Sequence, residues 1–265
     1  MKYISILLST PMVQAEQQGR KDRTRRTKGL EEINKNPDYY IWLKDYNQME
    51  IPKKAIPFDD KFYYAFTGKH NNSTLVIVDC PYGKPGDILW VRETFYAFGK
   101  WVKNGTTKTG KQKYKFIDCT MNNKLRYEYP DTIEKNINPL GISTKKNNQL
   151  RWYKRSALFM PKKACRTFLK VKSGRPERLQ EISQNDCVHE GIEQLLMSSM
   201  QKLMAGSERF RNYLKKPTIF NEALKPYESF KSLWISINGP DSWNKNPWVW
   251  VIEFERTKRP ANFLN

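Results

Sequence analysis

Between Ile142 and Arg175 the chain places eleven lysines and arginines and not one aspartate or glutamate. They are Lys145, Lys146, Arg151, Lys154, Arg155, Lys162, Lys163, Arg166, Lys170, Lys172 and Arg175, with Trp152, Tyr153, Phe159 and Phe168 set among them. A second cluster, Arg20, Lys21, Arg23, Arg25, Arg26 and Lys28, is interrupted only by Asp22. A third, from Lys100 to Lys115, holds six lysines and no acid. Cationic blocks neutralise phosphates and release counterions, and aromatics among them stack on bases. One such loop reads more simply as a solvated surface. Three acid-poor clusters in one chain point to nucleic acid.

The rest of the composition says what kind of body carries this charge. With 47 Lys+Arg against 27 Asp+Glu the formal charge is +20, and only 38% of residues are hydrophobic, yet 13% are aromatic. Disordered chains are poor in aromatics, so this one is expected to fold around a Trp/Tyr/Phe-rich core. Its 265 residues suit one large domain, or a small one with long insertions. No apolar run approaches the roughly 18 residues of a membrane span, so no membrane partner is expected. Met1 to Ser9 reads as a first strand rather than a signal peptide. Cys80, Cys119, Cys165 and Cys187 form no CxxC pair, and the only histidines are His70 and His189. A Cys/His metal centre and a disulfide scaffold are both disfavoured, no cofactor is implied, and a cytoplasmic location follows.

Local signals alternate short strands with few helices. Lys2 to Leu8 is β-type; Thr10 before Pro11 is a helix start, and Gly19 ends that helix. Lys21 to Arg26 reads as extended or turn. Leu75 to Val78 and Ile88 to Val91 read as strands, separated by a Tyr82 to Asp87 turn. Gly99 to Asn148 reads as a hairpin-bearing insertion, with β alternation at Tyr114 to Ile117 and Leu125 to Tyr129. Cys165 to Val171 is expected as a strand, and Leu179 to Ile192 as a turn and helix with Ser183 as N-cap. Helices are expected at Ser207 to Lys216 and Pro226 to Ile237, then a final strand from Trp248 to Phe254. This order suggests an α+β mixed barrel decorated by insertions.

Ser9-Thr10-Pro11-Met12-Val13, then Gly19-Arg20-Lys21 and Thr24-Arg25-Arg26, resemble the opening of ASCH-domain proteins, a branch of the PUA-like superfamily. Lys84-Pro85-Gly86-Asp87-Ile88-Leu89-Trp90-Val91-Arg92-Glu93 resembles their second motif, and Arg178-Leu179-Gln180-Glu181-Ile182 with Glu190-Gly191-Ile192 the third. Met160-Pro161 and Asn246-Pro247-Trp248-Val249-Trp250-Val251-Ile252-Glu253-Phe254 complete a pattern similar to ASCH-like proteins of bacteriophages and prophages. The resemblance covers about half of residues 1–265 and leaves insertions at about 31–79, 99–150 and 193–226. It implies a single PUA-like β-barrel flanked by helices, with a cleft for a nucleobase or modified nucleoside. It also implies a bacterial host cytoplasm, and RNA ahead of DNA as partner.

Some small ASCH proteins are amidohydrolases acting on N4-acetylcytidine through a Lys, a Thr and a Glu. The resemblance puts Lys21, Thr24 and Glu190 on those positions; other relatives are RNA-binding or ribonucleolytic. Chemically, the Thr24 hydroxyl needs a base, and Lys21 can serve only with a depressed pKa, which Arg20, Arg23, Arg25 and Arg26 would favour. Glu190 would orient Lys21 or protonate the leaving amine. The alternative is that Arg20, Lys21, Arg25 and Arg26 bind phosphate, Thr24 caps a turn, and Glu190 pairs with an arginine. Such a protein would be a non-enzymatic reader. Arg92 and Glu93 leave their strand where barrel rims place ligand contacts. Arg151, Trp152, Lys154, Arg155, Lys162 and Lys163 are the expected polynucleotide contacts, with Trp152 as the stacking candidate. Trp90, Trp248 and Trp250 read as core, and His189 as a helix-surface residue with a lesser claim to acid–base work.

Overall fold

The computed structural model describes residues 1–44, 63–69, 71–196, 208–215 and 225–264. Within them the chain is α+β, mostly strand, with few helices. The strands are β1 (Tyr3–Leu7), β2 (Arg23–Arg26), β3 (Tyr40–Trp42), β4 (Tyr63–Gly68), β5 (Asn71–Asp79), β6 (Ile88–Arg92), β7 (Phe95–Thr106), β8 (Gln112–Asp118), β9 (Ile142–Ser143), β10 (Arg151–Arg155), β11 (Phe168–Arg178) and β12 (Trp248–Thr257). The helices are α1 (Thr10–Gln17), α2 (Ile133–Asn136), α3 (Gln184–His189) and α4 (Pro226–Asn238). They form three sheets, ordered β1-β6-β11-β12-β2, β8-β7-β10-β9 and β3-β4-β5. No barrel closes among the described residues. β1 and β2 are the two edge strands of the five-stranded sheet and do not pair with each other.

By internal contacts the chain divides into two compact units, residues 1–4, 14–89 and 169–257, and residues 5–13, 90–168 and 258–265. The first is built on aromatic pairs. Tyr64 of β4 meets Trp250 of β12 at 4.8 Å between ring centroids, and Phe66 meets Trp248 edge-on at 5.1 Å. Such tilted and T-shaped contacts suit the ring quadrupoles. Trp248 and Trp250 are therefore core, as expected. α3 starts at Ser183, whose hydroxyl accepts from Asp186 N at 3.0 Å, the cap expected from the sequence. α4 begins with Pro226 in its first turn and stops at Gly239.

The second unit carries the β7–β8 hairpin expected within 99–150, with β10 on the other side of β7. Trp90 is buried against Phe263 at 5.8 Å, and Phe263 also meets Phe168 at 4.8 Å.

Three local expectations differ. Leu125 to Tyr129 is not a strand: only Glu128 bridges to Tyr96, while Tyr127 Oη donates to Asp118 at 2.7 Å and Tyr129 Oη to the Ala164 carbonyl. Side-chain anchors there replace a ladder. β11 begins at Phe168 rather than Cys165, because a 3₁₀ turn over Lys162–Ala164 runs into Cys165 and Arg166 turns to two carboxylates. The helix expected at Ser207 to Lys216 is absent from 208–215. That backbone is irregular, with a Gln194–Phe210 bridge and Tyr213 N donating to Ser232 at 3.0 Å. Ser207 and Lys216, residues 45–62 and 70 of the first insertion, and 197–207 and 216–224 of the third lie outside the described residues.

Candidate nucleic-acid interface

Two places compete for function: the Lys21 cluster of the first unit and the basic aromatic sheet of the second. In the first, Glu190 follows the last turn of α3, and Gly191 then takes φ +85. A Cβ on Gly191 would stand 2.9 Å from the Ala15 and Lys21 Cβ atoms, so both its φ and its space call for glycine. That close approach brings Glu190 to Lys21. Arg20 reinforces the joint by donating to the Gly191 and Ile192 carbonyls at 3.4 and 3.2 Å.

The Lys21 ammonium is saturated. It donates to Arg23 O at 2.7 Å, Glu190 O at 2.7 Å and Glu190 Oε2 at 3.0 Å, which accounts for its three protons. The other Glu190 oxygen takes Arg25 Nη1 at 3.1 Å. Arg25 Nη2 reaches Glu177 at 2.8 Å and Asp186 at 3.4 Å. Arg23 pairs with Asp186 and with Asp22, and His189 Nδ1 lies 2.9 Å from Asp22 Oδ2. The side chains of Lys21, Arg25 and Glu190 are 2%, 0% and 5% exposed. Burial pushes the Lys21 ammonium below its ordinary value, with Glu190 pulling the other way.

Thr24 does not join this group. It is buried opposite Ile252 on β12, and strand alternation turns it and Arg26 to the opposite face from Arg23 and Arg25. The structure thus brings Lys21 to Glu190 and Arg25 and directs Thr24 elsewhere. Arg25, expected as a phosphate contact, is spent on three carboxylates. A cleft of about 870 Å³ opens elsewhere in this unit, lined by Asn34, Asp38, Trp234 and Asp241 among others, and contains none of the three candidate catalytic residues.

In the second unit Glu93 and Arg92 also turn out to be braces. Glu93 is 1% exposed and accepts two bonds from Arg166, both at 2.9 Å; Arg166 also binds Asp131 at 2.7 and 3.0 Å and lies 3.8 Å over Tyr129. Arg92 donates to the Ala157 carbonyl at 3.1 Å and to that of Leu158. It thereby pins the 3₁₀ turn Ala157–Phe159.

Trp152 is not the stacking residue. It is 6% exposed and meets Phe98 at 5.7 Å, so its apolar neighbourhood comes from β7 rather than from adjacent residues. Trp101, in the lysine-rich hairpin, lies on the opposite face of the same sheet. It shares one face with Phe116 at 5.2 Å and Tyr153 at 6.4 Å, with the Lys146 ammonium 5.0 Å above its ring. The Arg155 guanidinium sits among Trp101, Phe116 and Phe159 at 4.6, 4.3 and 5.2 Å. Burial draws that guanidinium below its usual value, opposed by Asp118. The signal for Trp101 was present in the sequence as a tryptophan between Lys100 and Lys103.

Around this face the charges stay uncompensated. Lys145, Lys146, Arg151, Lys162 and Lys163 are exposed, as is Lys154, which strand alternation places with Trp152 on the other face of β10. Of the eleven cations from Lys145 to Arg175, only Arg166 and Arg175 form ion pairs among the described residues. No family model, curated protein or solved structure matches this chain. The residues themselves must carry the functional reading.

Proposed function

We propose that this protein binds nucleic acid, RNA in the first instance, through the basic aromatic face of its second unit. The observation that carries the reading is the contrast between its two cationic clusters. Around Arg23 and Arg25 the charge is met by Asp22, Glu177, Asp186 and Glu190. In the second unit the exposed Lys145, Lys146, Arg151, Lys162 and Lys163 form no ion pair among the described residues, and Arg155 sits among aromatics that offer a π-face. Lys145, Lys146, Arg151, Lys154, Lys162 and Lys163 would neutralise phosphates. Kinship with ASCH proteins is supported by the motifs at β2, β6 and β12, which belong to one sheet.

The test is charge reversal. Lys162→Glu with Lys163→Glu should weaken oligonucleotide binding, whereas Arg20→Glu should change it little. Equal effects would contradict the assignment. Amide hydrolysis is a second reading, favoured by the buried Lys21–Glu190 pair and the lowered Lys21 pKa. It requires Lys21 to give up its present acceptors and Thr24 to reach it. Release of acetate from N4-acetylcytidine, lost in Thr24→Ala, would establish that activity; no release from the wild type removes it for this substrate.

A further inference from the structure

The 3₁₀ turn Ala157–Phe159 ends on two adjacent apolar side chains in open solvent, Leu158 at 61% and Phe159 at 65% exposed. Exposure of one such residue is ordinary. Here the turn is fixed on both sides. Ser156 Oγ accepts from Leu158 N at 3.4 Å, and Arg92 spends its guanidinium on the Ala157 and Leu158 carbonyls. Phe159 is thus held in water by polar contacts to its backbone, not left on a loose loop.

What lies behind and beside it narrows the occupant. The Arg155 guanidinium stands 5.2 Å from the Phe159 ring and continues into the Trp101 and Phe116 rings. The loop carrying Lys145 and Lys146 is fastened to the same sheet. Trp101 N donates to Asn147 O at 2.9 Å, and Tyr153 Oη donates to Asn147 Oδ1 at 2.7 Å and lies 3.1 Å from Gln149 O. Exposed Lys162 and Lys163 follow the turn in sequence. The ammonium groups of Lys146, Lys162 and Lys163 lie over other rings of this unit, Trp101, Phe263 and Tyr127, at 5.0, 5.7 and 5.8 Å, and none forms an ion pair among the described residues. An exposed aromatic ring beside a guanidinium, in a unit rich in such cations, suits a ligand with both a π-face and repeated negative charge. Single-stranded nucleic acid has both, whereas a duplex keeps its base faces stacked inside.

We propose that Phe159, backed by Arg155 and flanked by Leu158, is a stacking platform for an unpaired base of a single strand. This rests on the nucleic-acid reading above and names the form of ligand that the face takes. Lys146, Lys162 and Lys163 would hold the neighbouring phosphates, and Arg92 positions the turn.

The experiment uses the full chain and a short fluorescein-labelled oligouridylate, its abasic counterpart of equal charge, the matching oligothymidylate, and a duplex of the same length. Anisotropy at low salt should show the base-bearing strands bound about tenfold tighter than the abasic strand, the size expected for one stacked base. Phe159→Ala should abolish that preference and leave abasic affinity unchanged; its exposure makes a folding defect an unneeded explanation, and circular dichroism checks this. If the abasic strand or the duplex binds as tightly as the oligouridylate, or Phe159→Ala keeps the preference, the platform is wrong while nucleic-acid binding stands. If none of the four probes binds, both readings fall.

Discussion

Replacing Glu190 separates a structural brace from a reactive centre. Its carboxylate lies 3.0 Å from Lys21 Nζ and 3.1 Å from Arg25 Nη1, and all three side chains are at most 5% exposed. Removing one partner of a buried pair costs about 3–5 kcal/mol because the other charge is left uncompensated. Arg25 keeps Glu177 at 2.8 Å and Asp186 at 3.4 Å, so most of the damage falls on Lys21, which keeps only two carbonyl acceptors. Glu190→Ala is therefore placed near the lower limit, about 3 kcal/mol. The assay is urea unfolding followed by tryptophan fluorescence, where the midpoint should fall with an unchanged slope. Adding Lys21→Met to Glu190→Gln should recover part of the loss, since the amide oxygen still accepts from Arg25 and no lone ammonium remains. The coupling should be at least about 1 kcal/mol. A Glu190→Ala midpoint equal to the wild type, or strictly additive effects in the double variant, would refute the brace.

Three further outcomes follow from the same contacts. Trp152→Ala should destabilise the second unit by about 3–5 kcal/mol, as for other buried aromatics, and so act on folding before binding; a stable variant with lost binding would return Trp152 to the interface. Because burial lowers the Lys21 pKa from 10.5, the unfolded chain keeps a proton that the folded chain has lost within the window below 10.5. Stability should therefore gain with rising pH there, and parallel wild-type and Lys21→Met curves between pH 8 and 10.5 would contradict this. Burial pushes the Cys80, Cys165 and Cys187 thiols up to about 12, so a thiol reagent at neutral pH should modify half-exposed Cys119 in the native protein and reach the other three only on unfolding.

Much of the fold could be read from local pattern. Pro11 and Gly19 bracketed α1, Ser183 capped α3, and the apolar runs at Ile88 and Trp248 became β6 and β12. These signals are short-range and carried by the residues themselves. The joining of Lys21 to Glu190 was also legible through the motif resemblance, although the sequence could not show how fully their bonds are spent. Reading Arg25 as a phosphate contact failed because its three carboxylate partners are at least 152 residues away in sequence. Arg92 and Glu93 misled for the same reason, since Ala157 and Arg166 arrive by tertiary packing. The burial of Trp152 could not be read from its neighbours because the faces of a sheet depend on register. Trp152 falls opposite Phe98, while Trp101 falls opposite Phe116. Both lie in cationic sequence, and only strand pairing tells them apart.

The salt dependence of oligouridylate affinity tests the central claim most directly. If the exposed cations between Lys145 and Lys163 neutralise around five phosphates, a plot of log affinity against log salt should have a slope of about −3.5 for a single strand. Lys162→Glu with Lys163→Glu should make that slope shallower by about 1.4. A flat plot, or one unchanged by these substitutions, would contradict the assignment of this face to nucleic acid.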